Sequence, residues 1–346
     1  MTRQLRLAVD AENLALDRRG MGRLARGVLR AIAESGDVDV VLLADHPQRR
    51  RALSGEFPYA LAATATAAHA GYDVVWFPFN GMRYRAHAPT LVSIHDAFAF
   101  AYARREPIAR MREQRPMRRA AREATRILTI SNWARAEIAR TLRFPLERIA
   151  VVSPSPDPFW FPGGGDVLPD ALAEKRFALF VGPSETRKNV RLAIEACARA
   201  FRNSDEMLVI AGELSPEDRA FARASGVRAG EIDARDDLLR ALYRNAELVL
   251  VPSLAEGFGL VAIEAMACGA AVVASGTTAL PEATDGAAIL LDPRDVGTWA
   301  GAIRTLFDDR ERLAALRERA STRFAFADRT AFGRATLAVI RETARK

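Results

Sequence analysis

Residues 248–269 read LVLVPSLAEGFGLVAIEAMACG. An apolar run from Leu248 to Val251 leads into a glycine turn and then a segment of small and apolar residues, which predicts strand, turn and helix. Gly257 and Gly259 let backbone N–H groups of the turn approach an anion at the helix N-terminus. Glu256 and Glu264 stand eight positions apart around the turn and can accept hydrogen bonds from hydroxyls. Glu264 could be a plain surface residue of its helix. Its neighbours Ile263 and Ala265, however, are residues that expect burial, and a carboxylate there needs partners. An anion site beside hydroxyl acceptors suits a sugar nucleotide.

The strand–helix unit recurs along the chain. Strands are predicted at Leu5–Val9, Val38–Leu43, Asp73–Phe77, Thr90–Ile94, Ile127–Ile130 and Ile149–Val152 in the first half. In the second half they fall at Phe177–Val181, Met207–Ala211, Val227–Gly230, Leu248–Val251, Ala271–Ala274 and Ile289–Leu291. Helices are predicted at Met21–Glu34, Ile108–Thr125 and Asn132–Leu142, and from starts near Asn189, Pro216, Asp236, Leu260 and Val296. Strands that alternate with helices and read as continuous apolar runs belong to parallel sheets buried on both faces.

Residues 153–165 hold four prolines and three glycines in thirteen positions, which can continue neither a helix nor a central strand. The expectation is an α/β chain of two Rossmann-like domains, 1–158 and 159–326, facing across a central cleft. A C-terminal helix, 327–346, is expected to pack back on the first domain.

Apolar content of 49% with 27% charged residues in 346 fits folded globular protein rather than disorder. Cys197 and Cys268 have neither pairing nor metal-type spacing and read as reduced core residues. The opening residues run straight into a strand, unlike a signal peptide, and no apolar run reaches the roughly 18 residues of a membrane span. A cytoplasmic protein is expected.

The net charge of +7 is uneven: residues 1–165 carry 25 Lys+Arg against 16 Asp+Glu, the remainder 25 against 27. Arg104 to Arg126 alone holds nine Arg and three Glu. With no recognised motif or interleaved aromatic platform, nucleic acid is not the expected partner. Two readings stand for this stretch. It is a solvated helix face, or, with Ile108, Met111 and Met117 among its arginines, a basic helix lying on an anionic membrane as a peripheral contact.

Further motifs end predicted strands. Gly182 to Asn189 (GPSETRKN) puts Arg187 and Lys188 at the carboxyl end of a strand, where a guanidinium fork and an ammonium suit a diphosphate. Alone, such a pair is more often a solvated turn; the downstream glutamates reverse that weighting. His95-Asp96 ends the strand at Ile94. Gly20-Met21-Gly22-Arg23 opens the first helix and could let backbone approach a phosphate, without the full dinucleotide pattern. Asp37-Val38-Asp39 fits an Asp-x-Asp metal pattern but enters a strand far from the donor motif, and no metal site is expected. His46, His69 and His87 have no motif context.

Together these segments resemble the family 4 retaining glycosyltransferases of the GT-B fold. The resemblance rests on Glu256–Glu264 inside Pro-Ser-x-x-Glu-Gly-Phe-Gly-Leu, supported by Arg187-Lys188-Asn189, Ile94-His95-Asp96, Thr129-Ile130-Ser131 and Leu280-Pro281-Glu282 with Asp292-Pro293. It implies that Arg187 and Lys188, beside Gly182, bind the donor diphosphate and stabilise the leaving nucleotide. It further implies that Glu264 holds the ribose, Glu256 the donor sugar, and the Gly257, Phe258, Gly259 and Leu260 amides the phosphate or sugar. His95 would contact the sugar near its anomeric carbon, Asp96 would lie on the acceptor side, and Gly22 would face the diphosphate. The resemblance also implies a metal-independent bacterial enzyme of glycan or polysaccharide biosynthesis. It would retain anomeric configuration and move a hexose from a nucleotide-diphosphate sugar, GDP-mannose first, to a glycan or lipid-linked acceptor. A sugar-nucleotide epimerase of the same fold is the alternative. The chain departs from the family at Ser153 to Asp157, where relatives carry an Asn-Gly-Val-Asp-like loop, and at Val261-Ala262, where many have proline.

Overall fold

The computed structural model describes residues 4–17, 20–68, 71–102, 106–325, 328 and 330–346. The first three residues, His69, Arg104 and Arg105, and the expected start of the last helix at Ala327 lie outside them. The chain divides into two compact units, Met1–Ser155 with Arg329–Lys346, and Pro156–Asp328. No described helix is long and apolar enough to cross a membrane.

The first unit is built on β1 (Leu5–Asp10), β2 (Val38–Leu43), β3 (Ala60–Ala62), β4 (Val74–Phe77), β5 (Thr90–Ser93), β6 (Arg126–Thr129) and β7 (Ile149–Val151). They form a parallel sheet in the order β3-β2-β1-β4-β5-β6-β7. Its helices are α1 (Gly20–Ser35), α2 (Pro47–Glu56), α3 (Phe98–Ala101), α4 (Pro107–Glu123) and α5 (Asn132–Leu142). Val75, Phe77, Val92 and Ile127 are fully buried under these layers, as parallel strands covered on both faces must be. Ser131 caps α5 by accepting from the Ala134 N–H at 3.0 Å. Pro116 sits inside α4, and its carbonyl accepts from the Met82 N–H at 3.1 Å. Gly81, at φ +126°, makes that approach possible: a Cβ there would lie 2.5 Å from the Pro116 carbonyl carbon.

The second unit contains β8 (Phe177–Val181), β9 (Met207–Ala211), β10 (Ala229–Ile232), β11 (Leu248–Val251), β12 (Val272–Ser275) and β13 (Ile289–Leu291), in the parallel order β10-β9-β8-β11-β12-β13. Its helices are α6 (Val190–Ala200), α7 (Pro216–Ser225), α8 (Asp236–Asn245), α9 (Leu260–Ala267), α10 (Leu280–Thr284), α11 (Val296–Asp308) and α12 (Arg310–Ala325). The last helix, α13 (Ala331–Ala344), joins the first unit and packs on α1, where Gly333 leaves no room for a Cβ against Ala31 and the Gly27 carbonyl.

In both sheets the strand order reverses once, between β1 and β4 and between β8 and β11. Ligands of doubly wound sheets bind outside the carboxyl ends of the strands at such a switch point. Some details differ from the sequence expectation. β3 and the helices α2, α3, α10 and α12 were not among the expected elements, and β10 begins two residues later than Val227, because its register is set by pairing Ala229 with Leu208 and Ile232 with Ala211.

Candidate active site

The chain leaving β8 turns sharply at Gly182 (φ +141°) and passes over Gly212, where a Cβ would lie 2.2 Å from the Gly182 carbonyl oxygen. A single 3-10 turn, Thr186–Lys188, then hands over to α6 through Asn189 in the left-handed region at φ +56°. The Asn189 amide donates to the carbonyls of Pro252 at 3.1 Å and Pro293 at 3.0 Å, and the Leu254 N–H donates to the Arg187 carbonyl at 2.7 Å. The β8 and β11 loops are thereby stitched together at the switch point.

That stitching brings three predicted residues into contact. Lys188 Nζ lies 2.7 Å from Glu256 Oε1, and Arg187 Nη1 lies 3.4 Å from Glu256 Oε2. Ser253 Oγ donates to Glu256 Oε1 at 2.7 Å, and the Glu256 N–H donates to Thr278 Oγ1 at 3.0 Å. Arg187 also pairs with the half-exposed Glu185 at 2.9 Å. Glu256 is only 8% exposed. Burial pushes its carboxyl pKa up, but Lys188, Arg187 and the Ser253 hydroxyl more than offset this and hold it below the usual carboxylate value. The group is a buried, ionised carboxylate paired with two cations.

Gly259, at φ +113°, opens α9, and a Cβ there would strike Leu280 Cδ2 at 2.6 Å. Only glycine serves at this position. Phe258 is buried, so its contribution to a ligand would be the main chain rather than the ring. Glu264 stands half-buried on α9 between buried Ile263 and Ala265, and accepts from the Tyr243 hydroxyl of α8 at 3.4 Å.

In the first unit His95 leaves β5, 6% exposed, its N–H donating to Asn80 Oδ1 at 2.8 Å. Burial depresses its imidazole pKa to about 4 against an opposing hydrogen bond to the Pro78 backbone, so the ring is neutral at physiological pH. Its Nδ1 has no hydrogen-bond partner among the described residues. Asp96 accepts from the Phe98 N–H at 3.0 Å and so helps open α3. The Gly22 N–H is engaged by Asp17 Oδ2 at 3.0 Å, and a Cβ at Gly22 would overlap the Asp17 carbonyl. The close approach this glycine permits is therefore to its own chain. Asp37 and Asp39 pair with Arg341 at 2.6 Å and Arg6 at 3.3 Å respectively.

Sequence reasoning also missed a pair at the first switch point. Asp10, ending β1 and 2% exposed, is held bidentately by Arg83 at 2.6 and 3.2 Å. A charged residue closing an apolar strand was the available signal.

Residues 18–158 match the model described as Glycosyltransferase Family 4, and residues 175–309 match Glycosyl transferases group 1. The chain belongs to the family 4 glycosyltransferases. It is 31% identical over 234 residues to O-antigen chain mannosyltransferase B of Escherichia coli, covering 63% of this chain and 61% of that protein. It is 32% identical over 236 residues to D-inositol 3-phosphate glycosyltransferase of Mycobacterium sp. strain KMS, covering 62% and 53%. This glycosyltransferase chain thus spans between about half and three fifths of these relatives' lengths. Among solved structures it resembles WaaG, a glycosyltransferase involved in lipopolysaccharide biosynthesis, at TM-score 0.71 and 17% identity, covering 97% of this chain and 99% of that one. The HepE protein of Anabaena in complex with UDP-glucose matches at TM-score 0.74 and 16% identity over 98% and 100%. These likenesses show the GT-B fold.

Proposed function

We propose that this family 4 glycosyltransferase moves a hexose from a nucleotide-diphosphate sugar to a glycan or lipid-linked acceptor, with retention of anomeric configuration. The observation that carries the reading is the contact of Lys188 and Arg187 with buried Glu256 at the switch point of the second sheet. An ammonium and a guanidinium at a strand's carboxyl end supply the charge a leaving diphosphate needs, so no divalent ion or other cofactor is invoked. Glu185, the half-exposed partner of Arg187, makes an ion pair of the kind that contributes little, and a phosphate oxygen replaces it at little cost. Glu256, fixed as an anion, takes hydrogen bonds from donor-sugar hydroxyls. Glu264 takes them from the ribose, and the Gly257 to Leu260 main chain meets the sugar or phosphate.

His95 is assigned to the sugar near its anomeric carbon, where a neutral imidazole, its other ring nitrogen donating to the Pro78 backbone, keeps a buried, unpartnered Nδ1 to accept one hydrogen bond. Asp96 is assigned to the acceptor side. Attack on the face the diphosphate leaves needs no protein nucleophile, because the departing phosphate can take the acceptor proton. Mannose from GDP-mannose is the first donor to try, supported by the similarity to an O-antigen mannosyltransferase; the UDP-glucose complex of a fold relative makes UDP-sugars the second.

The enzyme is proposed to act in the cytoplasm, at the inner membrane face. Supporting this, α4 presents Arg110, Arg115, Arg118 and Arg122 along an open groove of about 420 Å³, with Ile108 56% and Met111 57% exposed beside it. Incubation with radiolabelled GDP-mannose or UDP-glucose and a lipid-linked glycan tests the reading: label is expected in the acceptor with its α-configuration kept. Label returned only as an epimerised sugar nucleotide would replace it with the epimerase alternative. Sedimentation with liposomes is expected to depend on anionic lipid, and equal binding to neutral vesicles contradicts the membrane contact.

A further inference from the structure

The second half of the proline-rich linker, from Phe159 on, is strapped along α8. Phe159 lies 4.2 Å from the Arg240 guanidinium and Phe161 4.4 Å from that of Arg244. Asp166 pairs with Arg240 at 3.0 Å and also with Arg244, whose Nη2 donates to the Phe161 carbonyl at 2.7 Å. Positions 240, 243 and 244 share one helix face. Between the two arginines, Tyr243 and Trp160 are both fully buried and meet edge to face at 5.5 Å. The Tyr243 hydroxyl, 3.4 Å from Glu264 Oε2, is the polar end of this packed column.

A buried phenol hydroxyl needs an acceptor, and a carboxylate on a half-exposed helix position needs something to choose its rotamer. Each meets the other's need. We infer that Tyr243 is a positioning residue: its hydroxyl, seated by Trp160 of the linker strap, fixes the Glu264 carboxylate in the orientation that receives the nucleotide ribose. A carboxylate has about four lone-pair sites, so accepting from Tyr243 leaves capacity for two ribose hydroxyls. The inference rests on the assignment of Glu264 to ribose, and it adds that the linker strap and this carboxylate form one mechanical unit inside the second domain.

The test is calorimetric titration of the full chain with GDP and UDP and with their 2′,3′-dideoxy forms, in wild type, Tyr243→Phe, Trp160→Phe and Glu264→Gln. Tyr243→Phe keeps the ring and is expected to weaken the ribonucleotide about fivefold, the value of one hydrogen bond, while leaving dideoxy binding unchanged. Trp160→Phe, which loosens the seat, should give a smaller loss confined to the ribonucleotide. Equal weakening of both forms, or of neither, in Tyr243→Phe overturns the inference, since a purely structural role does not distinguish sugars. Loss of ribonucleotide affinity alone in Trp160→Phe is required for its share in the column, and any other pattern removes it. Glu264→Gln separates the two levels: if it leaves the ribose preference intact, the ribose assignment fails; if it abolishes the preference while Tyr243→Phe does not reduce it, only the positioning role fails.

Discussion

At the switch point of the second sheet, two cations from the β8 loop surround a buried glutamate. At that of the first, one arginine is consumed by Asp10, and His95, beyond the carboxyl end of β5, carries no charge. The sheets share parallel topology and a single reversal of strand order, so the backbone does not produce this difference. Side chains on the loops do. Lys188 and Arg187 have counter-ions that a diphosphate can supplement or replace, whereas the Asp10–Arg83 fork closes on itself, and His95 is left as a neutral imidazole with a buried, unpartnered Nδ1. The second edge suits an anion and the first an uncharged, hydroxyl-bearing one.

The largest effect that would break this contrast is on transfer. Lys188→Ala and Glu264→Ala are each expected to lower kcat/KM by about a thousandfold, the range for losing a group that binds developing charge or its carrier. Full activity in both would remove the second edge from the reaction. Next is His95. Its folded pKa, about 4, lies below the ordinary 6.5, so its contribution to stability is complete above pH 6.5 and is lost as pH falls towards 4. Over that window wild type should lose about 3 kcal/mol relative to His95→Asn in urea unfolding; parallel pH profiles would contradict a buried neutral ring.

Asp10→Ala leaves Arg83 without its bidentate partner and should cost about 2 kcal/mol of stability. Nucleotide affinity should not change, because the first edge is self-neutralised; a matching loss of GDP or UDP binding would blur the distinction between the edges. The smallest effect is the acid limb of Glu256. With its folded pKa depressed below 4.5, its ion pairs stabilise above pH 4.5 and are lost as pH falls through the depressed value. The melting difference between wild type and Glu256→Gln should shrink only below that pH, and a difference already gone at pH 6 contradicts an ionised glutamate.

Much of the fold was legible because its strands are continuous apolar runs: Val38–Leu43, Phe177–Val181 and Leu248–Val251 occupy the positions read from sequence. β3 was not, since Ala60–Ala62 lacks the β-branched and aromatic residues that mark a strand and exists because it pairs with β2. The helix through Pro116 was read correctly, but not the contact it makes outside itself, the Met82 N–H that the Pro116 carbonyl accepts. In the candidate site, Arg187, Lys188 and Glu256 were visible as motifs, and their mutual contact depends on loops that meet only in space. Asp10 with Arg83 and Tyr243 with Glu264 are separated by 73 and 21 positions, and no local pattern pairs them.

Titration of GDP and UDP into wild type, the double variant Arg187→Ala with Lys188→Ala, and Asp10→Ala asks directly whether the second edge is the anion site. The double variant should weaken both nucleotides by about 100-fold or more, the worth of two charge-assisted contacts, while Asp10→Ala binds as wild type. Native affinity in the double variant would contradict the assignment.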